Sequence, residues 1–157
     1  MRDIVKSKQK MEASMKVELK NVKICKWASE ETLCFNASIY LNGKKVGTVE
    51  NSGHGGCNFY HFDDRDIEQK FYDYCKSLPP IEFNGEPLEM DADLYISELL
   101  ENYEYAKKVR QYSKKNILFR LLDDEKYSFR TINTRNELGA IGYLNKKYGK
   151  ENYQLVK

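Results

Sequence analysis

The 157-residue chain has only two histidines, His54 and His61, and both fall in one glycine-rich stretch, NSGHGGCNFYH. Cys57 lies between them and Asp63 follows just after. Imidazole, thiolate and carboxylate are the donors that zinc takes, and the His-x-x-Cys spacing permits local chelation. In a hydrolase built on such a centre, His54 or His61 would serve as general base, and Asp63 would hold the metal or orient an imidazole. His54, Cys57, His61 and Asp63 are therefore the candidate metal set, for zinc or another divalent ion. The pattern matches no established zinc signature, and Gly53, Gly55 and Gly56 are explained more simply as positive-φ positions after a hairpin. The leading expectation is a structural loop with exposed histidines and no cofactor.

The same stretch offers a second chemistry. Closely spaced backbone donors around Gly55 and Gly56, flanked by His54, Tyr60 and His61, precede a helix and could face an anion. No Lys-Ser/Thr follows, however, and Asp63, Asp64 and Asp66 would compete with a phosphate for the helix dipole. Asp64 suits a helix cap better, and neither a P-loop nor a dinucleotide fingerprint is present.

A third chemistry lies towards the C-terminus, where tyrosines interleave with lysines in NYEYAKKVRQYSKK and YLNKKYGKENY. Stacking rings and cations bind single-stranded nucleic acid when they share a face. The candidates are Lys107, Lys114, Arg120, Arg130 and Lys146. The overall charge of +2 hides a segregation: residues 1–50 carry +4, residues 51–104 carry −10 and residues 105–157 carry +8. Much of this is helix chemistry, since acidic residues precede basic ones along two expected helices, as the macrodipole favours. An acidic surface would alternatively suit a basic groove on a partner protein, and surface tyrosines suit a protein interface.

The elements that position these residues follow from periodicity. Val17 and Leu19 alternate with charged residues, and Val22 and Ile24 resume after a phase slip at Asn21, which predicts a bulged strand. Leu33, Phe35, Ala37 and Ile39 alternate into Asn42-Gly43, a type I′ hairpin signal, and then into a third strand. A helix is predicted from Asp63-Asp64 to Pro79-Pro80, with Ile67, Phe71, Tyr74, Cys75 and Leu78 on one face. IEFNGEPLEM holds a second Asn-Gly turn with at most short strands. A longer helix spans about 91–113, a hairpin crosses Asp123-Asp124-Glu125, and a last helix carries Leu138, Ile141, Leu144 and Tyr148. Thr134 and Glu137 have capping-box spacing, Gly149 suits a C′ position, and NYQLV closes the chain as a strand.

The order β-β-β-α-α-β-β-α-β predicts a single α+β domain over 15–157. Its largely antiparallel sheet combines an N-terminal β-meander and a C-terminal hairpin, packed with about three helices. A flexible or partly helical arm is expected over 1–14. With 41% apolar and 32% charged residues, the composition is that of a globular protein. No apolar run approaches the roughly 18 residues of a membrane span, and no export signal is evident, so a cytoplasmic setting is expected. Cys25, Cys34, Cys57 and Cys75 contain no CxxC pair, and free thiols follow from that setting.

The block SEETLCFNASIYLNGKKVGTVENSGHGGCNFYH, with the closing YLNKKYGKENYQLV, resembles small uncharacterised proteins of bacteriophages and bacterial mobile elements. The resemblance covers residues 16–78 and 116–156 and carries no catalytic residues over. It implies a bacterial cell and a host or phage protein as partner. The expected function is thus non-enzymatic binding of a protein or nucleic acid, for instance as a phage-encoded modulator of host defence or metabolism. The alternative is a metal-dependent hydrolase on the His54/Cys57/His61/Asp63 loop. No membrane partner is expected, and a second copy of the chain is a further candidate partner.

Overall fold

The computed structural model describes residues 15–157, so the expected arm over 1–14 lies outside the described residues. The fold is α+β, and every strand pair is antiparallel. The described residues form two compact units, residues 15–99 and 100–157.

In the first unit, β1 (Val17–Ile24), β2 (Phe35–Leu41), β3 (Lys44–Asn51) and β4 (Phe59–Phe62) form one sheet in that order. Strand alternation buries Phe35, Ala37, Ile39 and Leu41 on one face, and Val46 and Val49 join them. Asn42 and Gly43 take φ of 49° and 83°, as a type I′ turn requires. The slip at Asn21 is a register shift between Lys20 and Lys23, and a second shift lies between Ile39 and Tyr40. Leu33 does not continue the buried row. It is 37% exposed, because β2 begins at Phe35 and the Cys34 N–H goes to the Ser29 hydroxyl instead of a strand.

Helix α1 (Arg65–Ser77) starts at Asp64, whose carboxylate accepts from the Asp66 and Ile67 amides. Its Phe71 and Cys75 are fully buried, and Phe71 sits among Tyr60, Phe62 and Tyr72. The short strands β5 (Ile81–Phe83) and β6 (Glu86–Leu88) make a hairpin whose residues are all exposed. Helix α2 (Ala92–Tyr112) begins in this unit, with the Asp91 carboxylate accepting from the Leu94 amide.

The second unit takes the remainder of α2, then β7 (Ile117–Leu121), β8 (Arg130–Ile132), α3 (Glu137–Tyr148) and β9 (Tyr153–Val156). Its sheet runs β8-β7-β9, with Leu118 and Phe119 of the central strand both buried. Two expectations are corrected on α3. The cap is Asn136, which accepts from the Gly139 amide, whereas Thr134 accepts from Asn136 itself. Asn is as good an N-cap as Thr or better, so the start moves two residues on. Leu138 is 82% exposed, because Ala140 and Leu144 define the buried line and Leu138 lies about 200° around the helix from Ala140. Gly149 ends the helix, its N–H donating to the Asn145 carbonyl.

Candidate binding surface of the first unit

The glycine-rich connection is built on Asn51, the last residue of β3 and only 5% exposed. Its side-chain oxygen accepts from the Thr32 hydroxyl at 2.6 Å and the Gly53 amide at 2.9 Å. Its amide group donates to the Gly56 carbonyl and the Asn58 side chain. The Thr32 hydroxyl accepts in turn from the Gly55 amide at 3.2 Å. Three successive amides, of Glu30, Glu31 and Thr32, converge on the single carbonyl of Gly53. Backbone donors in such a concave row would suit an anion. Here a carbonyl from the same chain fills the row, and the amides of Gly53 and Gly55 are engaged internally. SGHGG is thus docked against residues 29–32.

The four candidate metal ligands are not assembled. His54 is exposed, with Nδ1 3.3 Å from the Glu30 carboxylate. Cys57 is exposed in the same connection. His61, expected in the loop, belongs to β4 and pairs with Thr48 across the ladder. Strand alternation sends its side chain to the face opposite Tyr60 and Phe62. Asp63 follows β4, with its amide bonded to the Val46 carbonyl. Among the described residues, no three His, Cys, Asp or Glu side chains come together as a metal site. The spacing suggested one continuous loop, but from Phe59 onwards it is strand.

Tyr60 lies on the inner face as a tie. Its hydroxyl donates to Asp93 at 2.6 Å, and the Asn58 amide donates to the other Asp93 oxygen at 3.2 Å. Burial, reinforced by the bond to Asp93, pushes the Tyr60 phenol well above its ordinary range, so it remains a proton donor. An open cavity of about 440 Å³ beside it is lined by Tyr60, Tyr72, Cys57, Lys76 and Asp91 among others. Both Asp93 oxygens are already engaged, so its role is to anchor the connection to the first turn of α2.

The outer sheet face differs. Ladder partners share a face, so Lys23, Asn36, Glu50 and Phe59 form one row across all four strands. Phe59 is 66% exposed and borders an open cavity of about 410 Å³ that also reaches Cys25, Cys34 and Ser52. From the same end of β1 and β2 leads the 25–34 connection. It contains a 3-10 turn, Lys26–Ala28, that carries Trp27, the only tryptophan and 89% exposed. Neither Trp27 nor Phe59 was singled out from the sequence. Reading FYHF as a strand would have separated outward Phe59 and His61 from inward Tyr60 and Phe62.

The basic candidates in the second unit do not share one face. Phe119 pairs with Arg130, whereas Arg120 is the next residue on β7 and pairs with Gln154, so the two arginines leave opposite faces of the sheet. Both are engaged locally. Arg130 makes two bonds to Asp124, and Arg120 donates to the Lys126 carbonyl. The Lys114 carbonyl accepts from Arg135, and Lys107 and Lys146 are exposed on α2 and α3. No family model, curated protein or solved structure matches this chain.

Proposed function

We propose that this chain is a non-enzymatic binding protein whose target is a protein in a bacterial cell, with modulation of host defence or metabolism by a phage or mobile element as the specific form. The observation that carries this is the solvent-facing Trp27, 89% exposed, at the sheet end that also presents Phe59. Apolar side chains exposed together at one end of a sheet mark interaction sites more than a lone one does, and Trp is enriched among the residues that dominate interface energy. The described residues of the first unit hold nine Lys and Arg against fifteen Asp and Glu, a net −6. That charge repels a phosphate backbone and favours a protein, most readily one with a basic rim. The bacterial and phage setting rests on the reading of the 29–61 block alone, as an expectation from its sequence pattern.

The test is capture from bacterial lysate by the immobilised chain, with Trp27→Ser and Phe59→Ser compared against Leu138→Ser on the other unit. One protein should be retained by the wild type and by Leu138→Ser, and its recovery should fall at least tenfold with either of the other two. Equal recovery by all four chains refutes the proposal. So does retention only of nucleic acid that is lost as salt is raised.

A further inference from the structure

The β1/β2 ladder ends with Lys23 opposite Asn36 and Ile24 opposite Phe35. One rung further, Cys25 stands opposite Cys34, and the Cys25 amide donates to the Cys34 carbonyl at 2.9 Å. The other half of that rung runs through Ser29. Its hydroxyl donates to the Cys25 carbonyl and accepts from the Cys34 amide, both at 2.9 Å. The backbones of the two cysteines are therefore pinned to each other twice. Directly opposed, hydrogen-bonded residues stand about 5.5 Å apart at Cα. A disulfide accepts roughly 4.4–6.8 Å, which leaves room for the hydroxyl that widens the rung. Both cysteines line the outer-face cavity of about 410 Å³, and both are half-buried, so a small reagent reaches them.

The other two thiols lack this arrangement. Cys57 is exposed in the glycine-rich connection. Cys75 is fully buried on α1, and burial pushes its thiol up to about 12.

We propose that Cys25 and Cys34 are a redox-active cross-strand dithiol, closed to an intramolecular disulfide by a low-molecular-weight disulfide such as oxidised glutathione. The thiolate of one cysteine attacks a glutathione disulfide sulfur, expels one glutathione thiolate and becomes a mixed disulfide. The second thiolate then attacks the protein sulfur of that mixed disulfide, forming the Cys25–Cys34 bond and expelling the second glutathione. Two electrons pass from the protein to the oxidant, which leaves as two glutathione thiols carrying the two protons. The closed ring encloses residues 26–33, which include Trp27 and the three amides that grip the Gly53 carbonyl. The thiol chemistry stands apart from the binding proposal and is read directly on the sulfurs.

The test equilibrates the folded chain in glutathione buffers of rising oxidised fraction, alkylates the remaining thiols and digests with trypsin. Cleavage after Lys23, Lys26 and Lys44 places the two cysteines in separate peptides, 24–26 and 27–44. The expected result is that the Cys25 and Cys34 thiols disappear together and these two peptides become linked. Cys57 carries at most a separate glutathione and joins no peptide link, reduced glutathione reverses the change, and Trp27 emission shifts in parallel. Cys34→Ser should stop at one glutathione on Cys25, with no peptide link. The proposal is overturned by glutathione that persists on wild-type Cys25 or Cys34 without the link. A link that involves Cys57, or an unchanged thiol count across the whole range, overturns it equally.

Discussion

Two connections in this molecule each gather several bonds onto one side chain, and the two ties are of opposite kinds. The 52–58 connection hangs on Asn51, a buried neutral amide with partners at Thr32, Gly53, Gly56 and Asn58. The 122–129 connection hangs on Asp124, a half-buried carboxylate that accepts from the Leu121 amide at 2.8 Å and from two nitrogens of Arg130 at 2.9 and 2.8 Å. Arg130 holds the Asp124 carboxyl down to about 2, with the Leu121 amide helping. A neutral tie needs burial and exact partners, because an unmatched amide inside the protein costs its full desolvation. An ionic tie forms in partial contact with water, but it depends on pH and salt.

The largest effect should come from Gly53→Ala. Gly53 has φ of 88°, and an added Cβ would overlap the Ala28 carbonyl oxygen and lie 2.9 Å from the Cys34 Cβ. Backbone on one side and a side chain held by its neighbours on the other leave little room to adjust. The expected loss is about 3 kcal/mol or more in chemical denaturation. A loss below about 1 kcal/mol would mean that the connection is not docked against residues 28–34.

Asn51→Ala should follow closely. It deletes both halves of the tie and leaves the Gly53 amide and the Thr32 hydroxyl without their acceptor, for about 2–3 kcal/mol. Hydrogen exchange should accelerate at Gly53 and Gly55 and stay unchanged at Leu121. Unaltered protection at Gly53 would show that the convergence of three amides on its carbonyl holds the connection without Asn51.

Of these two ties, the sequence revealed the participants of neither. What it did reveal is local. Alternation from Phe35 to Ile39, the Asn42-Gly43 turn, the slip at Asn21, the Asp64 cap and the Gly149 stop each depend on a few neighbouring residues. Asn51 is instead explained by Thr32, nineteen positions away, and the Cys25–Cys34 rung appears only once the β1/β2 register is known. β4 escaped because FYHF follows a run of glycines and is nearly all aromatic, so it shows no polar alternation. Leu33 and Leu138 looked like core because they are leucines at a suitable spacing. One precedes its strand, and the other is out of phase with Ala140 and Leu144. For the site, the sequence named His54, Cys57 and Asp63 as neighbours in number but could not show that strand pairing turns His61 to the outer face.

Acid should separate the two ties. A carboxyl held below its ordinary value contributes stability that is fully present above that value, near 4, and is lost as pH falls through its folded value. For Asp124 the folded value is about 2, so between pH 5 and pH 2 the 122–129 connection should progressively lose its tie. Amide exchange at Leu121 should then rise relative to Gly53, whose acceptor on Asn51 does not titrate. Asp124→Asn should weaken the connection at neutral pH and abolish the relative change on acidification. If Gly53 and Leu121 respond to acid in parallel, the contrast between a neutral and an ionic tie fails.

The smallest effect, Gly85→Ala, isolates what docking contributes. Gly85 has φ of 80°, beside 88° at Gly53, so both positions lie in the positive-φ region that L side chains rarely adopt. No atom lies within 4 Å of the added Cβ at Gly85, and its hairpin is exposed throughout. Only the left-handed backbone penalty of about 1–2 kcal/mol remains, and a freestanding hairpin can lessen it by opening without disturbing the sheet or α1. The expected loss in global stability is therefore under about 1 kcal/mol, read as a shift of a few degrees at most in Tm. The difference between the two alanine variants then reports the contact of Gly53 with Ala28 and Cys34 beyond the positive-φ cost that both carry. Equal losses at Gly53 and Gly85 would assign the whole effect to backbone conformation, and the 52–58 connection would be no more tightly docked than the 81–88 hairpin.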